Sequence, residues 1–474
     1  MHHTDNRDID NGDIDNGDIG NRNIDNRSSP GLVLVAMCAG YFLVLLDVTV
    51  VNVALPAIGA GLGSDVTGLQ WVVDGYTLAL ASLLLAGGSL GDLLGHRSMV
   101  LTGLLGFGGA SLLCGLAPTT GTLIAARVAQ GVGAALLLPG TLAVVSRTYS
   151  DPQGRARAIG LWAGVGSIAL PTGPLLAGVV VQLVGWRWVF LPNLPVALLA
   201  AVVIWRRTTP QRATRIGRFD PAGTALGAVV LAALTVAAIE AGHAGLTGPV
   251  AGALVITVGA LVGFVLVERR SRSPMLPLGL FRRPAFGAAN GAAAVMNLGS
   301  LGLLFLLTLY LQAVQHRSAL AAGLAVVPLF LPLAVLAPLA GRHIARRGPA
   351  RPMLAGLLLA AVGVGLIATW PPDAPYSQLL PALLAWGIGL GLLTPAVVAA
   401  AVEAVPADRA GLAAGVNNAA RQAGGAIGIA GYGAIAGSPA TPALFVTGLH
   451  IAGLLTAGLF LLAALVTGRL IARP

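Results

Sequence analysis

Four ionisable residues sit inside long apolar stretches. They are Asp47 in LDVTVVNVALP (46–56), Asp74 in QWVVDGYTLALASLL (70–84), Arg127 in LIAARVAQGVGA (123–134) and Arg421 in GVNNAARQAGGAIG (415–428). A charge at the centre of a bilayer costs about 2.5–3.5 kcal/mol on insertion scales, so such a residue calls for a partner or a function. The chemistry a carboxyl offers there is proton exchange. Desolvation favours its neutral form, whereas a nearby guanidinium favours its charged form. A carboxyl that gains and loses such a neighbour as the protein changes shape takes up and releases a proton. The alternative is a structural ion pair that merely neutralises itself.

The elements that hold these residues follow from composition. The chain has 474 residues, 56% of them hydrophobic and only 10% charged, and its mean hydropathy is +0.84. The apolar material comes in blocks of about 20 residues, the length that crosses a bilayer core. Barrel strands alternate apolar and polar over about 10 residues, and these blocks do not. We expect an all-α polytopic membrane protein with spans at 31–53, 70–90, 99–117, 121–146, 156–182, 188–205, 222–240, 248–268, 286–314, 318–341, 352–370, 377–402, 409–437 and 444–470. Asp47 then lies six residues before the outer end of span one, and Arg127 six residues after the outer start of span four. Both depths are about 9 Å at 1.5 Å per residue.

All 28 basic residues are Arg, and the net charge is +10. Twenty-four of them lie in the N-terminal tail, the C-terminus and one alternate set of loops, and only Arg187 and Arg317 in the other set. By the positive-inside rule the arginine-rich side is cytoplasmic. The expected setting is the bacterial plasma membrane with both termini inside. This asymmetry accounts for the basic charge without a nucleic-acid partner. Cys38 and Cys114 lie in apolar spans with no ligand-like spacing, so neither a disulfide nor a zinc site is expected. Residues 1–30 repeat DN-rich pentapeptides with seven Asp and no aromatic, and read as a disordered tail.

The chain also repeats itself. GVGAALLLP (131–139) matches GIGLGLLTP (387–395), and Gly88 and Gly95 match Gly341 and Gly348 at a similar offset. Residues 31–205 and 286–474 therefore read as two six-helix bundles, and 206–285 as cytoplasmic loops with two inserted helices. Parallel repeats around a midplane site describe a secondary transporter.

The motifs are similar to those of the fourteen-helix drug:proton antiporters of the major facilitator superfamily, the EmrB/QacA-like branch. LDVTVVNVALP resembles the first-span motif. GGSLGDLLGHR (87–97) resembles the GxxxDxxGRR loop between spans two and three, and LIAARVAQGVGA the fourth-span RxxQG motif containing Gln130 and Gly131. LPTGPLLAG (170–178) resembles the fifth-span GPxxGG motif of antiporters, with Gly173, Pro174 and Gly178 in place and Val179 instead of the final Gly. WRWVFLPNLP (186–195) and GVNNAARQAGGAIG also fit, and the Asp74 segment resembles actinobacterial antibiotic-resistance exporters.

The resemblance implies alternating access, with spans one and four lining a central cavity and Asp47 and Arg127 as partners at one depth. It implies that Asp92 takes part in a lock between the halves, here with Arg97 as the only full positive charge of the loop, since Leu93 and His96 replace usual basic residues. Span five would form a bent, tight contact between halves around Gly173. Protons would be the energy source, an amphiphilic small molecule the cargo, and the chain a monomer in lipid with no cofactor or metal.

Other residues carry weaker expectations. Asp74 reads either as a solvated helix-end carboxylate near the outer mouth or as a proton or cation site. Trp71 and Tyr76 suit an interfacial belt, and Asn52 and Pro56 mark where span one meets the outer interface. Glu240 suits a snorkelling position. Asn52, Asn290, Asn297, Asn417 and Gln422 are candidate cavity-lining groups, although for Asn290 and Asn297 a hydrogen bond to a neighbouring helix is the commoner role. Arg421 should face a cavity or a counter-ion, and none is evident. There is no GxxxxGK[ST] phosphate loop and no catalytic constellation, so an enzyme is not expected. The rivals are a proton-coupled transporter of a native metabolite and, against the repeat, a non-transporting receptor or enzyme.

Overall fold

The computed structural model describes residues 29–471 apart from 150, 210–219, 245–246, 272–273, 275, 277 and 407–408. The protein is an all-helical polytopic membrane protein. In chain order its helices are α1 (Pro30–Leu62), α2 (Val66–Leu94), α3 (His96–Leu116), α4 (Thr120–Thr148), α5 (Pro152–Val184), α6 (Asn193–Arg207), α7 (Pro221–Ala244), α8 (Gly248–Arg270), α9 (Pro284–Leu309), α10 (Ala319–Arg347), α11 (Ala350–Gly365), α12 (Tyr376–Glu403), α13 (Ala410–Ala436) and α14 (Pro442–Leu470). Eleven helical segments among the described residues are long and apolar enough to cross a membrane.

Local chemistry explains where the helices begin and end. Asp65 and Asp151 accept hydrogen bonds from the Gly68 and Gly154 amides at 2.8 and 2.6 Å, satisfying donors that the first turns of α2 and α5 leave open. Thr119 and Thr122 form a reciprocal capping box at the start of α4. Proline opens α1, α5, α8, α9 and α14, where its missing N–H costs nothing. Gly95 and Gly348 end α2 and α10 with φ of 89° and 76°, a region that glycine enters without strain.

The first helix departs from expectation. α1 does not stop at the outer interface near Asn52 and Pro56 but runs through Pro56 to Leu62. Proline removes one ladder hydrogen bond, yet its fixed φ is compatible with a helix. Asn52 and Leu55 are buried at 1% and 0% exposure, so this part of α1 is packed in protein and does not meet a membrane surface. Asp47 consequently lies about 22 Å from the helix end, near its middle.

The packing is the same in two sets of six helices. α1 packs on α5, α2 and α3 on α4, and α3 on α6; α9 packs on α13, α10 and α11 on α12, and α11 on α14. Gly133 and Gly389 of the sequence repeat sit where helices approach closely. A Cβ on Gly133 would lie 2.6 Å from the Phe107 amide nitrogen across α3–α4, and one on Gly389 would lie 2.5 Å from the Ala360 amide nitrogen across α11–α12. Only glycine allows backbones this near. The two sets meet along α5–α10 and α2–α13, and α7, paired with α8, rests on the α2–α13 seam.

The core shows where the sets join. One cluster of buried apolar residues runs continuously from Val50, Leu55 and Ile58 of α1 into α9, α10, α12 and α13. A separate cluster, around Val33, Met37, Leu137 and Ile204, belongs to the first set alone. It fills the end of the bundle that carries Pro30, called here the terminal end. The sets share a core at the far end and part toward the terminal end.

Candidate functional site

Asp47 and Arg127 meet in a sealed polar network within the first set. Arg127 and Gln130 are three apart on α4 and so share a face. Arg127 Nη1 donates to Asp47 Oδ2 and to Gln130 Oε1 at 2.7 Å. Arg127 Nε donates to the Val72 carbonyl at 2.9 Å. Gln130 Nε2 donates to Asp47 Oδ1 at 3.0 Å and to Ser111 Oγ at 2.8 Å. Asn193, the first residue of α6, donates to Ser111 Oγ at 3.3 Å. The Tyr76 ring lies 4.3 Å from the guanidinium carbon, a cation–π contact, and its hydroxyl donates to the Val44 carbonyl. Asp47 and Arg127 are each 1% exposed. Both carboxylate oxygens are satisfied, which a buried charge requires.

Beside this network a cavity of about 780 Å³ lies between α1, α4 and α5 on one side and α9, α10, α12 and α13 on the other. This volume falls within the usual range for a drug-sized ligand. Its walls include Thr49, Asn297, Thr394, Arg421 and Gln422, and a stack of Tyr41 on Trp162 with ring centroids 3.8 Å apart. Asp47 does not line it, although its neighbours Val48 and Thr49 do. Among the lining residues, Ser146 of α4 and Leu412 of α13 are near the terminal end.

The far end is closed by contacts between the two sets. Gln70 of α2 donates to the Ile429 and Ala430 carbonyls of α13 at 3.4 and 3.2 Å, and Gln312 donates to the Val53 carbonyl of α1 at 2.8 Å. At α5–α10, a Cβ on Gly178 would lie 2.8 Å from the Leu320 Cα. A second cavity of about 480 Å³ indents this closed end, lined by Pro56, Asp65, Gln70 and Gly433.

The sequence profile of the Major Facilitator Superfamily matches residues 37–429. The chain belongs to the Major Facilitator Superfamily. It is 40% identical to the puromycin resistance protein pur8 of Streptomyces alboniger over 84% of this chain and 80% of that one. It is 36% identical to the methylenomycin A resistance protein of Streptomyces coelicolor over 94% and 93%. It is also 36% identical to the multidrug resistance protein Stp of Mycobacterium tuberculosis, over 85% and 75%. Solved structures share the fold. A peptide transporter POT in complex with sulfate superposes with a TM-score of 0.67 at 17% identity, covering 93% of this chain and 96% of that one. An inward-facing, unoccupied bacterial homologue of the lysosomal transporter Spinster gives 0.65 at 18%, covering 92% and 96%.

Within this superfamily fold, several residues stand elsewhere than the sequence implies. Asp74 is not a solvated helix-end group: it is 0% exposed, and neither carboxylate oxygen has a hydrogen-bond partner among the described residues. α2 begins earlier than expected, and α7 and α13 cover it. Tyr76 is likewise 0% exposed beneath Arg127 and forms no interfacial belt. Of the candidate lining groups, Asn297 and Gln422 face the cavity. Asn52, Asn290 and Asn417 do not, because their amides are used inside and between helices: Asn52 donates to the Val48 carbonyl, Asn290 to Phe286, and Asn417 to Asn290 and Val397. Gly173 packs against Thr49 and Val50 of its own set, so the contact between sets belongs to Gly178 and to the Pro174 carbonyl beneath Gly323. Arg97 donates to Thr208 and to the Trp205 carbonyl at the end of α6. Gly131 lies under the Tyr76 carbonyl. Glu240 is exposed. The side chain of Asp92, the position of Gly88 against its neighbours and most of the tail lie outside the described residues.

Ser111, Asn193, Gln70 and Gln312 escaped sequence reasoning. The available signal was a neutral polar group in an apolar span, which in Ser111 and Asn193 is too common to single out a network.

Proposed function

We propose that the chain is a proton-coupled antiporter that exports antibiotic-like amphiphiles from the bacterial cytoplasm by alternating access. It would act as a monomer and cross the membrane fourteen times, with six-helix bundles at 31–205 and 286–474 and an insert at 206–285. The resistance proteins among its relatives support the cargo class. The arginine asymmetry supports a cytoplasmic terminal end. With that orientation the cavity faces the cytoplasm and the contacts at Gln70, Gln312 and Gly178 form the periplasmic gate.

The observation that carries this reading is the Asp47–Arg127–Gln130 network, buried in one half next to a cavity sealed at one end. In the described state Asp47 is bound to Arg127 as a carboxylate and the cavity can receive cargo. Protonation from the periplasmic side would cancel the attraction between Asp47 and Arg127 and loosen α1 against α4. The same helices carry Val48, Thr49 and Leu138 into the cavity wall, so the proton and the cargo act on one pair of helices. Asp74 is the second carboxyl placed to exchange a proton at the seam between halves. Arg97, Gly95, Gln130, Gly131, Pro174 and Gly178 would set how the halves rock.

The test uses liposomes containing the purified protein and a compound chosen by a resistance screen of antibiotics and dyes. The wild type should move protons when that compound is added, and Asp47→Asn should still bind it but move none. Full proton flux in Asp47→Asn would remove Asp47 from the coupling role.

A further inference from the structure

The cavity is chemically one-sided. Among the described residues its lining holds one permanent charge, the Arg421 guanidinium, and no Asp or Glu. The nearest acid in sequence to the lining residues of α1 is Asp47, which is committed to Arg127 and faces away. Among the described residues, Tyr41 is the one titratable side chain that acts electrostatically on Arg421. A phenol does not neutralise a guanidinium.

The hydrogen-bonding inventory points the same way. Arg421 Nε, Trp162 Nε1 and Trp386 Nε1 all belong to lining residues, are buried, and have no acceptor among the described residues. Each is a donor only. The Ser300 hydroxyl, also in the wall, is unpartnered as well. Buried donors without acceptors are costly, and two indole donors that share a cavity wall with the guanidinium make a donor set suited to oxygen atoms that carry negative charge. The rest of the wall is mostly aromatic and aliphatic, with Tyr41 stacked on Trp162 and Phe330 nearby in the lining, and its other polar groups, such as Thr49, His96, Asn297, Thr394, Asn418 and Gln422, include no carboxylate.

We propose that the cavity selects amphiphiles bearing an anionic oxygen group, such as a carboxylate, with Arg421 binding the anion, the Trp162 and Trp386 indoles donating to it, and the apolar wall holding the body. This rests on the reading of the cavity as the export site and adds the charge of the cargo. A cation would meet Arg421 with no counter-charge, so cationic dyes are disfavoured. An exported anion also leaves with the inside-negative membrane potential and not against it.

Two xanthene dyes of matched body test this by equilibrium binding to the detergent-solubilised full chain: fluorescein, which bears a free carboxylate, and rhodamine 6G, a cationic ester. The wild type should bind fluorescein about tenfold or more tighter, the worth of one charge-assisted hydrogen bond. Arg421→Gln should erase that preference without weakening rhodamine 6G, whose retained binding reports an intact fold. Arg421→Lys should keep part of it, and Trp386→Phe, which keeps the ring, should weaken fluorescein alone. Equal affinities in the wild type, no fluorescein binding, or equal losses for both dyes in Arg421→Gln would overturn the proposal. If Arg421→Gln fails to fold, wild-type fluorescein affinity in Trp386→Phe overturns it instead. Proton flux is read separately in liposomes. Selective fluorescein binding without proton movement would uphold the anion site and sink the coupling. Proton-driven export of rhodamine 6G with no fluorescein binding would do the reverse.

Discussion

Arg127 and Asp47 meet from helix positions of unequal depth. Arg127 lies about 10 Å from the start of α4, whereas Asp47 lies about 22 Å from the end of α1. They are joined because α1 overshoots α4 by about two turns at the far end. The same helix carries Val53, whose carbonyl accepts from Gln312 of the other half. A single long helix therefore carries the buried charge, part of the cavity wall and part of the gate.

That pair makes a prediction about stability. Removing Arg127 leaves Asp47 buried with only Gln130 to satisfy it, and breaking a buried pair from one side costs about 3–5 kcal/mol. Arg127→Met should lower the thermal midpoint sharply. Asp47→Asn should cost less, since the amide oxygen still accepts from Arg127. The double variant Asp47→Leu, Arg127→Met should recover much of the loss seen in the single variants Asp47→Leu and Arg127→Met. Additive effects in this cycle, measured by heat denaturation in detergent, would show that the two side chains do not interact.

The far-end closure makes a prediction about conformation. At Gly178 and Gly323 the helices α5 and α10 approach too closely for any side chain. Gly178→Leu should force this end open, so a cysteine placed at Ala434 in the far-end cavity would label faster with a membrane-impermeant maleimide. Gly173→Leu should not change that labelling, because Gly173 packs against Thr49 in its own half. It should instead disturb α1 and reduce export. Equal labelling rates for Gly178→Leu and the wild type would count against a gate there.

These two glycines show what a sequence can and cannot reveal. The all-helical, membrane-spanning class was legible because bilayer thickness and helix rise impose a length that the apolar blocks display. Asp47 and Arg127 stood out because charge is rare in such blocks. Gly173 and Gly178 belong to one motif, and only the tertiary approach of α10 decides which of them touches the other half. Asp74 and Tyr76 looked interfacial because they sit near the start of a span. Their burial comes from α4, α7 and α13, which are far away in sequence. Arg421 could be placed in mid-membrane, but whether an acid faced it depended on which way every nearby acid turned.

The gate glutamines should act together. Gln70 and Gln312 each hold a backbone carbonyl of the opposite half, and a net hydrogen bond contributes about 0.5–1.5 kcal/mol. Gln70→Ala and Gln312→Ala should each shift the protein modestly toward opening at the far end, and the pair more strongly. Spin-label distances across α2–α13 would report the shift. No change in the distance distribution of the double variant would mean that packing alone holds the gate.

Asp74 offers the sharpest separation of stability from function. A polar group buried without a partner costs about 1–3 kcal/mol by protein mutational data, and both Asp74 oxygens are in that state. Asp74→Leu keeps a similar volume and removes the cost, so it should raise the thermal midpoint. A residue retained against its own destabilisation at the α2–α13 seam is expected to repay it in transport, and the same variant should lose proton-driven export. Asp74→Asn, which keeps the shape but cannot exchange a proton, should lose export without the gain in stability. If Asp74→Leu is both more stable and fully active, the carboxyl has no part in the transport cycle. If it is less stable, Asp74 has a partner in the membrane that its buried position does not display.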